Sequence, residues 1–190
     1  MYADRISDMN PQLGRKYAFM ALLIIHSINL LADKIDPGGW DKIKWGMTLD
    51  AVADIYKGGA YRIAPSDPTY PNKLSINGIK IDFLDVQATV QANEQSHTVY
   101  SVALELPESS AFKRARSGRD IAFAKLRDLL IAKYGPPDSD HIYQDSTSAT
   151  MSDVLWAFQS TSVKLSRRES AMADVGYVMV VYQKLEKNPL

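Results

Sequence analysis

The sequence predicts an α+β domain: an antiparallel sheet with two helices packed on one face, built as two degenerate helix-plus-strands repeats and preceded by an N-terminal apolar helix. Three observations carry this. Residues 49–57 and 117–134 repeat apolar side chains at helical spacing and stop at glycine. Each stretch is followed by runs in which apolar and polar residues alternate, as half-buried strands do. The two helix ends also read alike, Ile55-Tyr56-Lys57-Gly58 against Lys133-Tyr134-Gly135, as a duplicated unit would leave them.

Composition narrows the function before any element is placed. The chain has 190 residues, enough for one domain, since about 150 residues already bury roughly 68–70% of their unfolded surface. Its 22 basic and 22 acidic side chains cancel, leaving no net field to attract a polyanion, so nucleic acid is not expected as a partner. There is no cysteine, which excludes disulfides, thiolate metal sites, a cysteine nucleophile and lipid attachment through an N-terminal cysteine.

Arg15 and Lys16 precede an uncharged run from Tyr17 to Ala32 that contains Ala18-Phe19-Met20-Ala21-Leu22-Leu23-Ile24-Ile25. Basic residues before such an apolar block form the pattern of a secretory signal. No Ala-x-Ala site follows, and the run is shorter than the about 20 residues of a membrane span. Three readings stay open: a signal peptide, an uncleaved N-terminal anchor, and a buried helix. Either export reading holds Arg15 and Lys16 inside and puts the rest outside the cytoplasm, periplasmic or secreted, or anchored in the inner membrane and facing out. Asp36-Pro37-Gly38-Gly39 then reads as a turn that neither helix nor strand crosses. The boundary is placed there: residues 1–39 as signal or anchor plus linker, and 40–190 as a single α+β domain.

In chain order, Thr48 is a good N-cap for the first helix, Asp50 suits its positive end, and Leu49, Val52, Ile55 and Tyr56 share a face. Residues 60–72, with Pro65, Pro68 and Pro71, read as a loop. Asn77-Gly78 between alternating apolar residues reads as a two-residue hairpin turn. The alternation Ile79, Ile81, Phe83 then shifts phase to Leu84, Val86, Ala88, Val90, which predicts a bulge or bend near Phe83-Leu84. A strand over 97–106 follows. Ser117 and Asp120 resemble a capping box opening the long helix, whose stripe is Ala122, Phe123, Leu126, Leu129, Leu130 and Tyr134. Gly135 caps it and Pro136-Pro137 stop it. Strands are expected near 141–144, 153–159, 161–168 and 175–183, the last apolar on both faces and so central.

Trp45-Gly46-Met47-Thr48 running into a short helix, with a longer helix ending in Lys133-Tyr134-Gly135-Pro136, resembles small bacterial exported domains. These are of the beta-lactamase inhibitory protein and small outer-membrane assembly lipoprotein type. The resemblance spans about residues 43–183. It implies a noncatalytic domain that binds another protein, with no catalytic residues to carry over. The lipid-bearing cysteine of the lipoprotein members is missing.

The reactive side chains are sparse. His26, His97 and His141 lack the paired spacing of a zinc site. Asp138, Asp140 and Asp145 lack the glycine turn and bidentate acid of a calcium loop. Neither a Gly-x-Ser-x-Gly elbow nor a phosphate-binding glycine loop is present. No catalytic residue, metal or cofactor is expected. The candidate binding residues are Trp40 and Trp45, which could anchor an interface if exposed, and the basic run Lys113, Arg114, Arg116 and Arg119, which Arg167-Arg168 could extend. The expected function is a noncatalytic exported protein-binding domain, an envelope factor, inhibitor or immunity protein. The competing readings are an enzyme assembled from scattered Asp, Glu and His, and a binder of an anionic envelope surface.

Overall fold

The computed structural model describes residues 34–58, 60–65, 70–145, 147–171 and 174–186. Ile35–Leu190 forms one compact unit, and the other unit is Met1–Lys34. The expected N-terminal apolar helix falls in the second of these and lies outside the described residues. Among the described residues no helix is long and apolar enough to cross a membrane.

The compact unit is mixed α+β, with few helices and an antiparallel sheet. In chain order it holds β1 (Gly39–Trp40), β2 (Ile43–Lys44), α1 (Leu49–Tyr56), β3 (Arg62–Pro65), β4 (Lys73–Ile81), β5 (Leu84–Ala92) and β6 (Val99–Glu105). There follow α2 (Ala111–Arg114), α3 (Arg116–Tyr134), β7 (Ser139–Gln144), β8 (Thr150–Ala157), β9 (Thr161–Glu169) and β10 (Gly176–Lys184). β1 and β2 form a small hairpin, and the other strands form one eight-stranded sheet in the order β3-β4-β5-β6-β10-β9-β8-β7. Each long helix is thus followed by four strands that run from one edge to the centre. The two final strands, β6 and β10, pair there. The doubly apolar run expected to be central is β10.

The core lies between the sheet and the helices. Val52 and Tyr56 of α1, and Ala122, Leu126, Leu130 and Tyr134 of α3, are buried against Ile76, Val86, Val102, Val180 and Leu165 from the sheet. Thr48 Oγ1 accepts from the Ala51 amide at 3.3 Å, the cap read from the sequence. At the far end of α3, Gly135 has a φ of 78° and its amide returns to the Ile131 carbonyl. Its own carbonyl accepts from the buried Trp156 indole at 2.9 Å, so the cap is also tied to β8. Tyr134 stands edge-on to Phe158, with ring centroids 5.2 Å apart.

Several local expectations are corrected. Asn77-Gly78 is not the hairpin turn: β4 runs through it with a register shift between Ile76 and Ile79, and the tight turn is Asp82-Phe83, between the paired Ile81 and Leu84. Gly78 is needed for another reason. A Cβ there would sit 2.9 Å from the Ala60 carbonyl oxygen, where the chain enters β3. The phase shift near Phe83-Leu84 is real, but it marks the turn itself. Residues 60–72 contain the edge strand β3 and are not wholly loop. Ser117 does not cap the long helix, whose N-cap is Ala115 with no side-chain bond. The cap hydroxyl belongs to Ser110, on the one-turn α2. Gly118 lies so close to Phe112 that a Cβ would fall 2.7 Å from its Cα, and this contact seats α2 on the start of α3. Asp36 to Gly39 is docked rather than a free linker: the Asp36 carboxylate accepts from the Thr161 hydroxyl at 2.7 Å and from the Ser160 amide.

Candidate functional site: the uncovered face of the sheet

All the buried apolar strand residues share the side on which the helices pack, so the alternation of each strand commits the other side to solvent. Register sets Gln87, Glu105, Met179, Ser166, Asp153 and His141 in one row across β5, β6, β10, β9, β8 and β7. The next row is Thr89, Ala103, Val181, Lys164, Leu155 and Ser139. Beyond the first row, Tyr177, Arg168, Met151 and Tyr143 make a shorter one. Ala103, Met151, Leu155, Tyr177, Met179 and Val181 are half-buried. Apolar groups therefore occupy the middle of this face.

Two ion pairs lie on it. Asp153 accepts from the Ser166 hydroxyl at 2.7 Å and the Tyr143 hydroxyl at 3.0 Å, and it pairs with Lys164 at 2.9 Å. Burial works to raise its pKa, but these bonds outweigh it and hold the carboxyl below its ordinary value. Arg168 pairs with Asp145 at 2.9 Å and donates to the Thr147 hydroxyl. Such a surface has little electrostatic steering. Its recognition has to come from shape and apolar contact.

The opposite side has a cleft of about 350 Å³ between α1 and α3, with Ile79, Leu104, Leu126 and Val180 among its apolar lining and Asp41, Lys80 and Lys133 as its charged groups. The Tyr56 hydroxyl donates to Asp41 at 2.8 Å. Burial first, and then Asp41, raise that hydroxyl's pKa.

The residues singled out in the sequence fall in two places, the two tryptophans apart from the basic run. Trp40 is buried in the core at 9% exposure, so it offers no interface anchor. Trp45 is partly buried, and its indole donates to the Thr161 hydroxyl at 2.8 Å. Three of the four basic residues, Lys113, Arg114 and Arg119, line one open cleft, together with Glu105, Glu108 and Asp174. Lys113 pairs with Glu108, Arg114 donates to the Ser109 carbonyl, Arg116 is exposed, and Arg119 is 1% exposed. Arg119 turns inward to Glu169, which it contacts at 2.8 Å through Nε and 2.7 Å through Nη2, and it also reaches Asp174 at 2.7 Å. The bonds to Glu169 come first in holding the guanidinium pKa above its ordinary value. Arg167 bonds Asp120 on α3, whereas Arg168 lies on the uncovered face, so the pair does not extend a basic surface.

His97 and His141 are both exposed. His141 stands opposite Asp153 in the register, but the Asp153 oxygens are engaged by Ser166, Lys164 and Tyr143. Asp138, Asp140 and Asp145 do not converge. Asp138 accepts from the Ala157 amide, Asp140 pairs with Arg127, and Asp145 holds its own loop and Arg168. Among the described residues no group of histidine and acidic side chains could hold a metal ion. From the sequence, binding is expected on one face of the sheet without its being known which; the odd-numbered residues of β10 and the even-numbered ones of β9 make up the uncovered face once the register is known.

Comparison with protein-family models, with curated proteins and with solved structures gives no match.

Proposed function

We propose that this chain is an exported, noncatalytic protein-binding domain of the bacterial envelope, acting as an envelope factor, inhibitor or immunity protein, and that it grips its partner with the uncovered face of the sheet. The observation that carries the reading is the combination on that face: a central apolar strip, Ala103, Met179, Val181 and Leu155, beside Asp153, Lys164 and Arg168, each of them ion-paired within the molecule. A partner docking there would desolvate few unpaired charges and could bury apolar area at the centre, the usual anatomy of an interface core. The signal-like N-terminus and the Trp45-Gly46-Met47-Thr48 and Lys133-Tyr134-Gly135 resemblance support export and protein binding. The strand order, mirrored about β6 and β10, supports reading the two helix-plus-strands halves as degenerate repeats.

The test is affinity capture from envelope extract with the full chain, beside two variants whose folding is checked by circular dichroism. Met179→Asp with Val181→Lys should abolish enrichment of the captured protein, while Arg116→Glu on α3 should leave it unchanged. Equal capture by all three, or no specific capture by the parent chain, defeats the proposal.

A further inference from the structure

The two edges of the sheet are not equivalent. β3 is four residues long and ends in Pro65, and proline has no amide to offer a further strand. β7 is six residues long, Ser139–Gln144, and contains no proline, lysine or bulge of the kinds that blunt natural edges. Ile142 is 74% exposed on it.

The direction of the free amides follows from the bonds at the ends of β7. The Leu155 carbonyl accepts from Asp138, and the Ala149 carbonyl accepts from Asp145. Leu155 therefore turns its carbonyl toward β7 and makes a hydrogen-bonded pair with Ser139. By the alternation of an antiparallel ladder, Ser139, His141 and Tyr143 point their main-chain groups at β8, and Asp140, Ile142 and Gln144 point theirs outward. The outward set is symmetric about Ile142. The side chains of that set lie on the helix side, as Asp140 shows by pairing with Arg127 of α3 at 2.7 Å.

We propose that β7 pairs with β7 of a second copy of this chain, antiparallel and centred on Ile142, joining two eight-stranded sheets into one. In this register Ile142 faces its own counterpart, and Asp140 faces Gln144, each pair exchanging both of its N–H···O bonds. On the helix side the exposed Ile142 side chains meet each other, and each Asp140 carboxylate meets the amide donors of a Gln144 side chain. On the other side His141 faces Tyr143. A register centred on Asp140 would oppose two carboxylates, and one centred on His141 would set the Ile142 side chain against Asp140 and leave Gln144 opposite residue 138, beyond the partner strand. Only the Ile142 centre pairs all three outward residues of β7 with one another while keeping the two carboxylates apart. Because the two-fold axis stands perpendicular to the sheet, the uncovered faces of both copies look the same way. The contact is one strand wide, so a weak dimer is expected, below the about 1,200 Å² of a stable interface.

The cysteine-free chain makes this testable by cross-linking. A hydrogen-bonded antiparallel pair sets its Cα atoms about 5.5 Å apart, within disulfide reach. Under mild oxidation of the full-length chain, Ile142→Cys should give a disulfide dimer. Asp140→Cys alone and Gln144→Cys alone should cross-link at least about tenfold more slowly, their Cα atoms lying beyond the roughly 7 Å limit. An equimolar mixture of those two variants should cross-link about as fast as Ile142→Cys. Adding Ile142→Pro to both members of the mixture should abolish the product, because it removes outward-facing amides while sparing the bonds to β8. Equal cross-linking of all single variants overturns the proposal. So does an Ile142→Cys protein that stays monomeric with a native far-ultraviolet spectrum, or one that cross-links to a different protein in preference to itself.

Discussion

Arg119 and Glu169, 50 residues apart in the chain, face each other inside the protein through two parallel hydrogen bonds. The planar guanidinium matches the carboxylate, and the Lys113 carbonyl accepts from a further nitrogen at 2.6 Å. The pair fastens the start of α3 to the end of β9. Desolvating both ions is costly, and what matters is that neither is left alone. Glu169→Leu should therefore destabilise the fold by about 3–5 kcal/mol. The double variant Arg119→Met with Glu169→Leu should recover most of that loss. Urea denaturation of the two single variants and the double variant tests this, and additive losses would show that the pair does not act as a unit.

Gly176 sits against the same pair. A Cβ at this position would lie 2.2 Å from the Arg168 carbonyl oxygen, 2.9 Å from Arg119 Nε and 3.0 Å from Glu169 Oε2. Gly176→Ala should destabilise by at least about 1–3 kcal/mol through forced displacement. Gly58→Ala is the comparison, because Gly58 has a φ of 83° and open space around its would-be Cβ. It should lose only the about 1–2 kcal/mol of a left-handed backbone. Thermal midpoints that ranked Gly58→Ala as the worse variant would contradict the geometry.

Asp36 gives the acid limb of stability a definite direction. Burial raises its pKa, but bonds from Thr161, Gly38 and Ser160 outweigh this and hold it below the ordinary 3.8. A depressed folded-state value means that folding favours the ionised form. The stabilisation is thus fully present above 3.8 and lost as pH falls through the lower folded value. Asp36→Asn should be less stable than the parent near neutrality, with the gap narrowing below pH 3.8. A gap that stayed constant through that range in pH-resolved urea titrations would count against the carboxylate as its source.

The aromatic and basic candidates should separate cleanly. Trp40→Ala removes a buried core side chain and should cost about 3–5 kcal/mol. Arg116→Ala, at an exposed position, should stay within about 0.5 kcal/mol of the parent. Equal effects in chemical denaturation would mean that Trp40 is not part of the core.

What could be read from the sequence was periodicity and termination. The stripe through Ala122, Leu126, Leu130 and Tyr134, the cap at Gly135, and the central strand with Val178, Val180 and Tyr182 are local patterns with one physical meaning. The misreadings arose where a distant partner decided. Asn77-Gly78 has the composition of a hairpin turn, yet Asn77 pairs with Arg62 and Gly78 makes room for Ala60, so contact with β3 overrides the local preference. Ser117 looks like a cap until Gly118 is found against Phe112. Arg119 looked like surface charge beside Lys113, Arg114 and Arg116. Basic charge is unfavourable near a helix start, and Glu169 and Asp174 compensate for it here. The uncovered face was illegible because it needs the register of six strands at once.

The meeting of β6 and β10 at the middle of the sheet also governs how the chain reaches this state. Gly176–Lys184 is the last strand of this sheet in chain order, and it goes into the centre, between β6 and β9. Until it emerges during synthesis, both of those strands are open edges and the core has no floor at Val178, Val180 and Tyr182. The first half can pair its four strands before then, but β6 stays open on its inner side and the second half lacks its innermost strand. The fold should therefore close late and in one step, with long-range pairing as the slow event. A chain stopped short of Gly176 would remain an unpaired, aggregation-prone intermediate rather than a smaller folded domain.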